Sequence, residues 1–202
     1  MPDQDRRSIC RAVADLHART IEQGFLSTLG PGFLSLLYQA INENPESALI
    51  VAYEDGAVCG FIAGTLNLKQ VYRGLLRRWP ALFVALAPSL LIPTRLWRII
   101  EILRYSRGAG ADSVSLPEAE LLSLAVLPSY RGRGHAESLY AGLVRFFADR
   151  QQAAFKIVVG AELAQAHRFY RRMGAEPRAE IALHQGASST VYVQTCTAGD
   201  IA

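Results

Sequence analysis

Hydrophobic residues recur at helical spacing in two stretches near the start of the chain. Apolar side chains every three to four residues fall on one face of an α-helix. Gly24 interrupts the first stretch, whereas residues 30–32 (GPG) and Asn44-Pro45 bound the second. The spacing predicts a helix over residues 9–21, with apolar positions Ile9, Val13, Leu16 and Ile21, and another over residues 33–41 (FLSLLYQAI).

Two apolar runs of strand length follow, with a turn sequence between them. Residues 48–54 (ALIVAYE) and 58–66 (VCGFIAGTL) are rich in the β-branched and aromatic residues that strands favour. Asp55-Gly56 between them is typical of a two-residue hairpin turn. Gly60 and Gly64 predict bulges or close contacts in the second strand, since glycine has no side chain to pack there.

The longest coherent pattern runs through residues 118–150 and predicts a strand, a turn and a helix. Residues 120–127 are apolar enough for a buried strand, which Pro128 ends because proline has no N–H for the ladder. Residues 130–136 (YRGRGHA) form a basic turn with two glycines. From Gly134 onwards the apolar residues recur at helical spacing, at Leu139, Leu143, Phe146 and Phe147.

The rest of the chain predicts one more strand, one helix and two closing strands. The strand covers residues 154–160 (AFKIVVG), and a helix covers residues 162–173, with Gly174 as its C-terminal left-handed residue. The closing strands are predicted over residues 179–184 and 190–197, with residues 186–189 connecting them.

Residues 69–115 interrupt this order with a helical segment. Lys69 to Pro80 predicts one short helix, Ala81 to Leu91 is a compact apolar run, and Thr94 is the expected N-cap of a further helix. Three interpretations are open. The helices could pack on the core, form a lid over an acceptor site, or lie on anionic lipid, where arginines and Trp97 would fit.

Charge also separates this segment from the rest of the chain. Half of the 202 residues are hydrophobic and the net charge is +3, so the composition indicates neither disorder nor a nucleic-acid-binding polycation. Residues 69–107, however, contain eight basic residues and one acidic residue. We therefore expect no nucleic-acid partner, and peripheral membrane contact through residues 69–107 stays open.

The cysteines and histidines have no disulfide or metal-binding spacing. Cys10, Cys59 and Cys196 are far apart and form no C-x-x-C pair, so free thiols in a reducing compartment are expected. The first ten residues contain no apolar signal-peptide core, and no apolar run reaches about 18 residues. These patterns predict a cytoplasmic protein without a metal site.

The turn before the helix at Gly134 has the properties of an anion-binding site. Unpaired N–H groups and the positive end of the helix dipole coincide at a helix N-terminus. Glycine lets a ligand approach the backbone closely, and Arg131 and Arg133 add charges suited to phosphate oxygens. The combination favours a diphosphate, although an ordinary turn with two solvated arginines has the same pattern.

Two motifs in this part of the chain resemble those of the GNAT family of N-acetyltransferases. Arg131-x-x-Gly134-x-Ala136, after a strand ending Leu124-x-Val126-x-Pro128, is similar to the family's motif A. Residues 166–175 (AHRFYRRMGA) are similar to its motif B. The resemblance covers residues 47–68 and 118–197, whereas residues 69–115 do not fit it.

The resemblance implies an α/β fold of the acyl-CoA N-acyltransferase (GNAT) type. This fold has a central mixed, mostly antiparallel sheet flanked by helices, here as one domain over residues 1–202 with a helical insertion around 69–115. The family usually has a strand ahead of the first helix. Only residues 1–8, which are mostly polar, precede the predicted helix here, so that strand is missing or supplied differently.

The resemblance also implies acetyl-CoA as co-substrate. The backbone of Leu124, Ala125 and Val126 would pair with the pantetheine arm like an extra strand, with Phe169 at its border. Leu163 stands where the family often has an asparagine, which puts one cofactor contact in doubt. The diphosphate would lie on the amides of the turn, formed by Arg131, Gly132, Arg133, Gly134, His135 and Ala136.

For catalysis, the resemblance points to Glu120 and Tyr170. Glu120 stands where some members place the base that deprotonates the amine, and Glu118, two residues earlier on the same strand face, is the alternative. Tyr170 stands where the family has the tyrosine that protonates the leaving thiolate. The structural alternatives are solvated carboxylates at a strand end and a core aromatic. His135, inside the turn, is not expected to be catalytic.

The predicted function is transfer of an acetyl group from acetyl-CoA to the primary amine of a small molecule by direct attack. The basic insertion favours an anionic acceptor, such as a nucleotide-linked or lipid-linked amino sugar. A CoA-binding module without catalysis and a membrane-docking module are the alternatives. The sequence is also compatible with a homodimer.

Overall fold

A computed structural model describes residues 3–21, 25–90, 116–183 and 187–196. The described strands form one six-stranded sheet with helices on both faces. The helices are α1 (Asp3–Thr20), α2 (Gly30–Glu43), α3 (Leu68–Leu76), α4 (Trp79–Leu90), α5 (His135–Ala148) and α6 (Ala164–Arg172). The strands are β1 (Ser47–Glu54), β2 (Ala57–Thr65), β3 (Glu120–Val126), β4 (Ala154–Gly160), β5 (Glu176–Leu183) and β6 (Ala187–Thr195).

The strand order is β1-β2-β3-β4-β6-β5, and every neighbouring pair except β3–β4 is antiparallel. This is the mixed, mostly antiparallel α/β arrangement that the family resemblance implies. Residues 3–20 are helical, so the described part of the chain has no strand ahead of the first helix. The tight turn at Asp55-Gly56 is confirmed: both residues have positive φ, as a two-residue hairpin loop requires.

Each sheet face carries its own hydrophobic core. On one face, α1 and α2 pack through residues such as Val13, Leu34 and Ile41 onto Phe61 of β2. On the other face, α5 packs through Leu139, Leu143 and Phe147, with Tyr170 of α6 in the same cluster. Because helices cover both faces, β2 is buried along most of its length.

Gly64 lets α5 lie directly on β2. A Cβ atom at Gly64 would be 2.7 Å from Leu143 Cδ1 and 3.1 Å from Phe147 Cζ. At Gly60, it would be 3.0 Å from Val126 Cγ2 and 3.1 Å from the Ala125 carbonyl oxygen. The close contacts predicted at both glycines are therefore confirmed.

Two β-bulges change the direction of side chains near the ends of β2. The β1–β2 register passes from Ala52–Gly60 to Tyr53–Val58, which leaves Cys59 as the extra residue. The β2–β3 register passes from Ala63–Ser123 to Gly64–Leu121, which leaves Leu122 unpaired. Such bulges re-aim side chains and often lie beside functional sites.

The insertion differs from the prediction in its first part. Lys69 to Pro80 is not one helix, because the backbone turns at Arg77-Arg78 between α3 and α4. Arg78 fixes this turn: it donates to Gln39 Oε1 at 2.6 Å and contacts the Glu43 carboxylate on α2. The predicted helix beginning near Thr94 lies outside the described residues.

The described helices of the insertion pack on the core, as one of the three interpretations predicts. Val71 and Leu75 of α3 are buried, and Leu82 and Leu86 of α4 lie against the α1–α2 core. The other side of α4 is open to solvent, with Trp79, Phe83 and Val84 all exposed. None of the described helices has the length and hydrophobicity needed to cross a membrane.

The closing strands are longer than predicted. β5 begins at Glu176 rather than at Ala179, because the edge position of the strand tolerates Pro177 and a bulge follows it. β6 begins at Ala187, so Ser188 and Ser189 belong to a strand and not to a loop. Gly174 has a φ of +87°, which confirms the left-handed residue after α6.

Candidate functional site

The central strands β3 and β4 separate shortly after they begin. They pair at Glu120–Lys156 and Leu121–Ile157, and the described structure has no further pair between them. Leu124, Ala125 and Val126 bond to β2 on one side, while no described strand covers their other edge. The diverging strands therefore leave a backbone edge that no described strand pairs with.

The turn between β3 and α5 directs a row of N–H groups outward. Gly132 and Gly134 have φ angles of +76° and +82°, and no atom lies within 4 Å of a Cβ placed at either residue. Among the described residues, the N–H groups of residues 132–137 have no acceptor, because helix bonding begins with Ser138 to the Gly134 carbonyl. Open space, free donors and a helix N-terminus together suit an anion such as a diphosphate.

The basic side chains of the turn have protein partners. Arg131 Nε donates to the Val126 carbonyl oxygen at 3.2 Å, which ties the turn to the end of β3. Arg133 and His135 both contact the carboxylate of Glu54, the last residue of β1. The hydrogen bond from His135, followed by that from Arg133, lowers the pKa of Glu54. The positive charge of this turn is thus partly neutralised by a residue that sequence analysis did not single out.

Glu120 lies at the start of β3 on the sheet face covered by the α1–α2 core and α3. Its carboxylate is 3.7 Å from Lys156 Nζ, and its side chain is 19% exposed. Burial raises the pKa of Glu120, and the ammonium of Lys156 only partly opposes that rise. Burial, and after it the Glu120 charge, raises the pKa of Tyr72 on α3 of the insertion.

Glu118 has a different environment from Glu120. It lies in a bend before β3 and is exposed, so the strand alternation that would pair it with Glu120 does not apply. Glu120 combines a largely buried side chain with a raised pKa, which suits a proton acceptor, whereas Glu118 is exposed to solvent.

Tyr170 lies on α6 with its side chain 7% exposed. Its ring is 6.0 Å from that of Tyr140, 5.4 Å from Phe169 and 6.4 Å from Tyr192. Burial raises the pKa of Tyr170, which keeps the phenol protonated at neutral pH. Its hydroxyl has no hydrogen-bond partner among the described residues, so it is free to donate to a ligand.

Residues around α6 hold that helix against β4. The two ring nitrogens of His167 lie 2.8 Å from the Tyr192 hydroxyl and 3.0 Å from the Gly160 carbonyl oxygen. Leu163 precedes the helix, is 41% exposed and provides no side-chain cap. The polar contact that an asparagine would supply at this position is therefore absent in this chain.

Three residues near the site were not found by sequence analysis: Glu54, Tyr72 and Lys156. Each belongs to a different element and reaches the site through tertiary packing. Only Lys156 carried a signal, since a single lysine interrupts the apolar strand AFKIVVG.

Comparisons with known proteins identify the family and the fold. The model of the acetyltransferase (GNAT) family matches residues 18–175. No curated protein matches the chain. The fold is similar to the ribosomal-protein-S18-alanine N-acetyltransferase from Escherichia coli, with 14% identity, a TM-score of 0.56, and 100% of this chain and 95% of that chain covered.

Two aminoglycoside-modifying enzymes have a similar fold. An aminoglycoside 6'-N-acetyltransferase complexed with coenzyme A has 12% identity and a TM-score of 0.58, with 97% of this chain and 95% of that chain covered. Aminoglycoside 6'-acetyltransferase type Ii has 14% identity and a TM-score of 0.60, with the same two shares of 97% and 95% covered.

Proposed function

Since the chain belongs to the GNAT family of acetyltransferases, whose co-substrate is acetyl-CoA, we propose that it acetylates the primary amine of a small molecule. The observation that carries this proposal is the juxtaposition of a free backbone edge on β3 with a buried carboxylate at the start of the same strand. A thioester carbonyl held along that edge would lie between Glu120 and the helix that carries Tyr170.

Donor binding is assigned to the backbone. The edge of Leu124, Ala125 and Val126 would bond the pantetheine arm, and the free N–H groups of residues 132–137 would bond the diphosphate. Phe169 would border the arm from α6. Bound acetyl-CoA supplies the activated acetyl group, and the residues around it position that group and exclude water.

Glu120 is the proposed general base. Its carboxylate would accept a proton from the amine as the nitrogen attacks the thioester carbonyl carbon, so that an N–C bond forms and the C–S bond breaks. A raised pKa suits this task, because it brings the basicity of the carboxylate nearer to that of the amine at working pH. Lys156, 3.7 Å away, would keep the carboxylate in place.

Tyr170 is the proposed general acid. Its phenol would donate its proton to the departing sulfur, which prevents the thiolate from attacking the new amide. The absence of a protein partner for the hydroxyl among the described residues supports this role. The Tyr140, Phe169 and Tyr192 rings around it would fix its orientation.

The acceptor is proposed to be an anionic amine, such as a nucleotide-linked or lipid-linked amino sugar. This rests on the charge of residues 69–107, from which α3 contributes exposed Lys69 and Arg73 next to Tyr72. The Glu120 charge contributes to the raised pKa of Tyr72, so this helix and the proposed base interact electrostatically.

Release of free CoA thiol from acetyl-CoA, measured with a panel of amines, tests this function. The panel should pair neutral amino sugars with their phosphorylated counterparts and include an N-terminal alanine peptide as a protein-like acceptor. Amine-dependent thiol release with preference for the phosphorylated amines is expected. Tight acetyl-CoA binding without turnover on any amine would contradict the enzyme assignment, and preference for the peptide would contradict the small-molecule acceptor.

A further inference from the structure

Three side chains with metal-binding atoms converge beside the diphosphate turn. They are Glu54 at the end of β1, Cys59 in β2 and His135 at the start of α5. One ligand atom from each lies within 4.8 Å of the others. Since 75 residues of chain lie between Cys59 and His135, only the packing of α5 on the β1–β2 hairpin brings them together.

The β-bulge at Cys59 directs the thiol into this cluster. Cys59 is the extra residue between the pairs Ala52–Gly60 and Tyr53–Val58, so its side chain does not follow the regular alternation of β2. The thiol is fully buried, while the side chains of Glu54 and His135 are 27% and 21% exposed. The cluster therefore has a closed inner side, formed by the sulfur, and an outer side open to solvent.

We propose that Glu54, Cys59 and His135 form a binding site for Zn²⁺ or a closely related thiophilic divalent cation. A thiolate, an imidazole and a carboxylate are all common zinc ligands, at about 2.0–2.3 Å from the metal. A thiolate and an imidazole select against Mg²⁺ and Ca²⁺, which prefer oxygen ligands. Three protein ligands leave the fourth tetrahedral position to water on the exposed side.

The ligand atoms need only small movements to reach this geometry. Atoms bound tetrahedrally at about 2.0–2.3 Å from a metal lie roughly 3.3–3.8 Å from one another. The Glu54 carboxylate and His135 Nε2 are in direct contact, so a metal would have to separate them by about 1 Å while both side chains approach Cys59 Sγ. Both are on the partly exposed side, where rotamer changes meet little resistance.

Metal binding would also change the diphosphate turn, an effect that rests on the proposed function. Arg133 now shares the Glu54 carboxylate with His135 and lies over the Tyr130 ring, 5.2 Å from its centroid. A bound cation would neutralise that carboxylate, and the Arg133 guanidinium would be left without its counter-ion beside the turn. Acetyl-CoA should then bind severalfold more tightly, and by reciprocity it should tighten metal binding by the same factor.

Titration of the tag-free wild-type chain with chelator-buffered Zn²⁺, and separately with Co²⁺, tests the site. We expect one Zn²⁺ per chain, and for Co²⁺ a near-ultraviolet thiolate-to-metal band with visible bands of a tetrahedral complex. Cys59→Ser should abolish the thiolate band. It should weaken Zn²⁺ binding by at least the roughly 10–100-fold that the loss of an outer-shell partner costs.

Cys10→Ser and Cys196→Ser are the matched controls, because these thiols lie outside the cluster. Each should keep the thiolate band and the Zn²⁺ affinity of the wild type. His135→Gln, at a partly exposed position, provides a second test should Cys59→Ser fold poorly, as judged by circular dichroism. Binding that lacks a thiolate band, or that survives both Cys59→Ser and His135→Gln, would overturn the site and identify adventitious surface binding.

Acetyl-CoA affinity measured calorimetrically with and without one equivalent of Zn²⁺ tests the link to the turn. Tighter binding in the presence of Zn²⁺, lost in Cys59→Ser, is expected. Equal or weaker binding would overturn the link. Because Zn²⁺ binding is measured without substrate, its failure and the failure of amine acetylation are separate results.

Discussion

At the scale of single residues, opposing effects act on Glu120. Removal of the carboxylate from water raises its pKa, and Lys156 at 3.7 Å lowers it, with burial the larger effect. An opposite charge within about 4–6 Å favours the ionised carboxylate, whereas burial disfavours it. Because burial is the larger effect here, the net change is a raised pKa, which leaves Glu120 more basic than a carboxylate in water.

This environment predicts the pH dependence of acetylation. A general base must be ionised, so kcat/KM should fall as pH decreases through the raised pKa of Glu120 and reach a plateau above it. Glu120→Gln should lower kcat by about 10²–10⁴-fold and remove that acidic limb. Rate measurements against pH for both proteins check this.

Two further variants, measured in the same pH experiment, show which carboxylate is the base. Glu180→Gln, on the exposed side of the edge strand β5, should reproduce the wild-type profile. If Glu118→Gln lost the acidic limb while Glu120→Gln kept it, the base would be Glu118.

The ring of Tyr170 is packed in the core, whereas its hydroxyl has no hydrogen-bond partner among the described residues. The ring therefore has a structural role, and the hydroxyl is available for chemistry. Tyr170→Phe removes the proton donor and keeps the ring. We expect kcat to fall by about 10²-fold or more, with acetyl-CoA affinity nearly unchanged. Steady-state kinetics and calorimetry measure the two effects. Tyr53→Phe, 50% exposed on β1, is the control, and an unchanged kcat in Tyr170→Phe would remove Tyr170 from the mechanism.

At the scale of elements, glycine determines how closely α5 approaches the sheet. Gly64 has Leu143 and Phe147 where its Cβ would be, whereas at Gly74 in α3 the nearest atom to an added Cβ is Ala40 Cβ at 3.8 Å. Close packing requires glycine at position 64, whereas Gly74 has room for a side chain and only weakens its helix.

The two glycines therefore predict opposite effects of the same substitution. Gly64→Ala should lower the free energy of unfolding by about 1–3 kcal/mol, because the added methyl group overpacks the α5 core. Gly74→Ala should raise it by roughly 0.5–1 kcal/mol, as expected for alanine inside a helix. Urea denaturation of the three proteins measures both changes, and a stabilised Gly64→Ala would show that α5 does not lie as close to β2.

At the scale of the whole molecule, the sheet has two halves that share few bonds. β1–β3 form one half and β4–β6 the other, joined by the two residue pairs of β3 and β4. A ligand that bonds the free edge of β3 while α5 and α6 enclose it would connect the halves. Donor binding should therefore order the centre of the molecule.

Hydrogen exchange with and without acetyl-CoA tests this expectation. The amides of residues 122–126 and 132–137 should gain protection, whereas the exposed turn at residues 149–151 should not change. At a ligand concentration of 100 times Kd, the free energy of unfolding should also rise by about 2.7 kcal/mol. Protection confined to surface turns, with an unchanged edge of β3, would contradict the proposed donor site.

The amino-acid sequence by itself determined the features that depend on local spacing. Alternation and helical periodicity located most strands and helices, and the glycines of the turn at 131–136 indicated an anion site because positive φ angles and free N–H groups are local properties. The motif at residues 166–175 placed Tyr170 on its helix. Local spacing did not predict the start of β5, because an edge strand tolerates Pro177. It also missed the turn at Arg77-Arg78 that separates α3 from α4.

Only the tertiary structure decided which distant side chains meet. The contact of Glu54 with Arg133 and His135 arises from α5 packing on the β1–β2 hairpin. The bulge that turns Cys59 toward His135 depends on strand register, which local spacing along one strand does not encode. Burial, which raises the pKa of Glu120, is likewise a property of the assembled fold, because it depends on what covers the residue rather than on its neighbours in the chain.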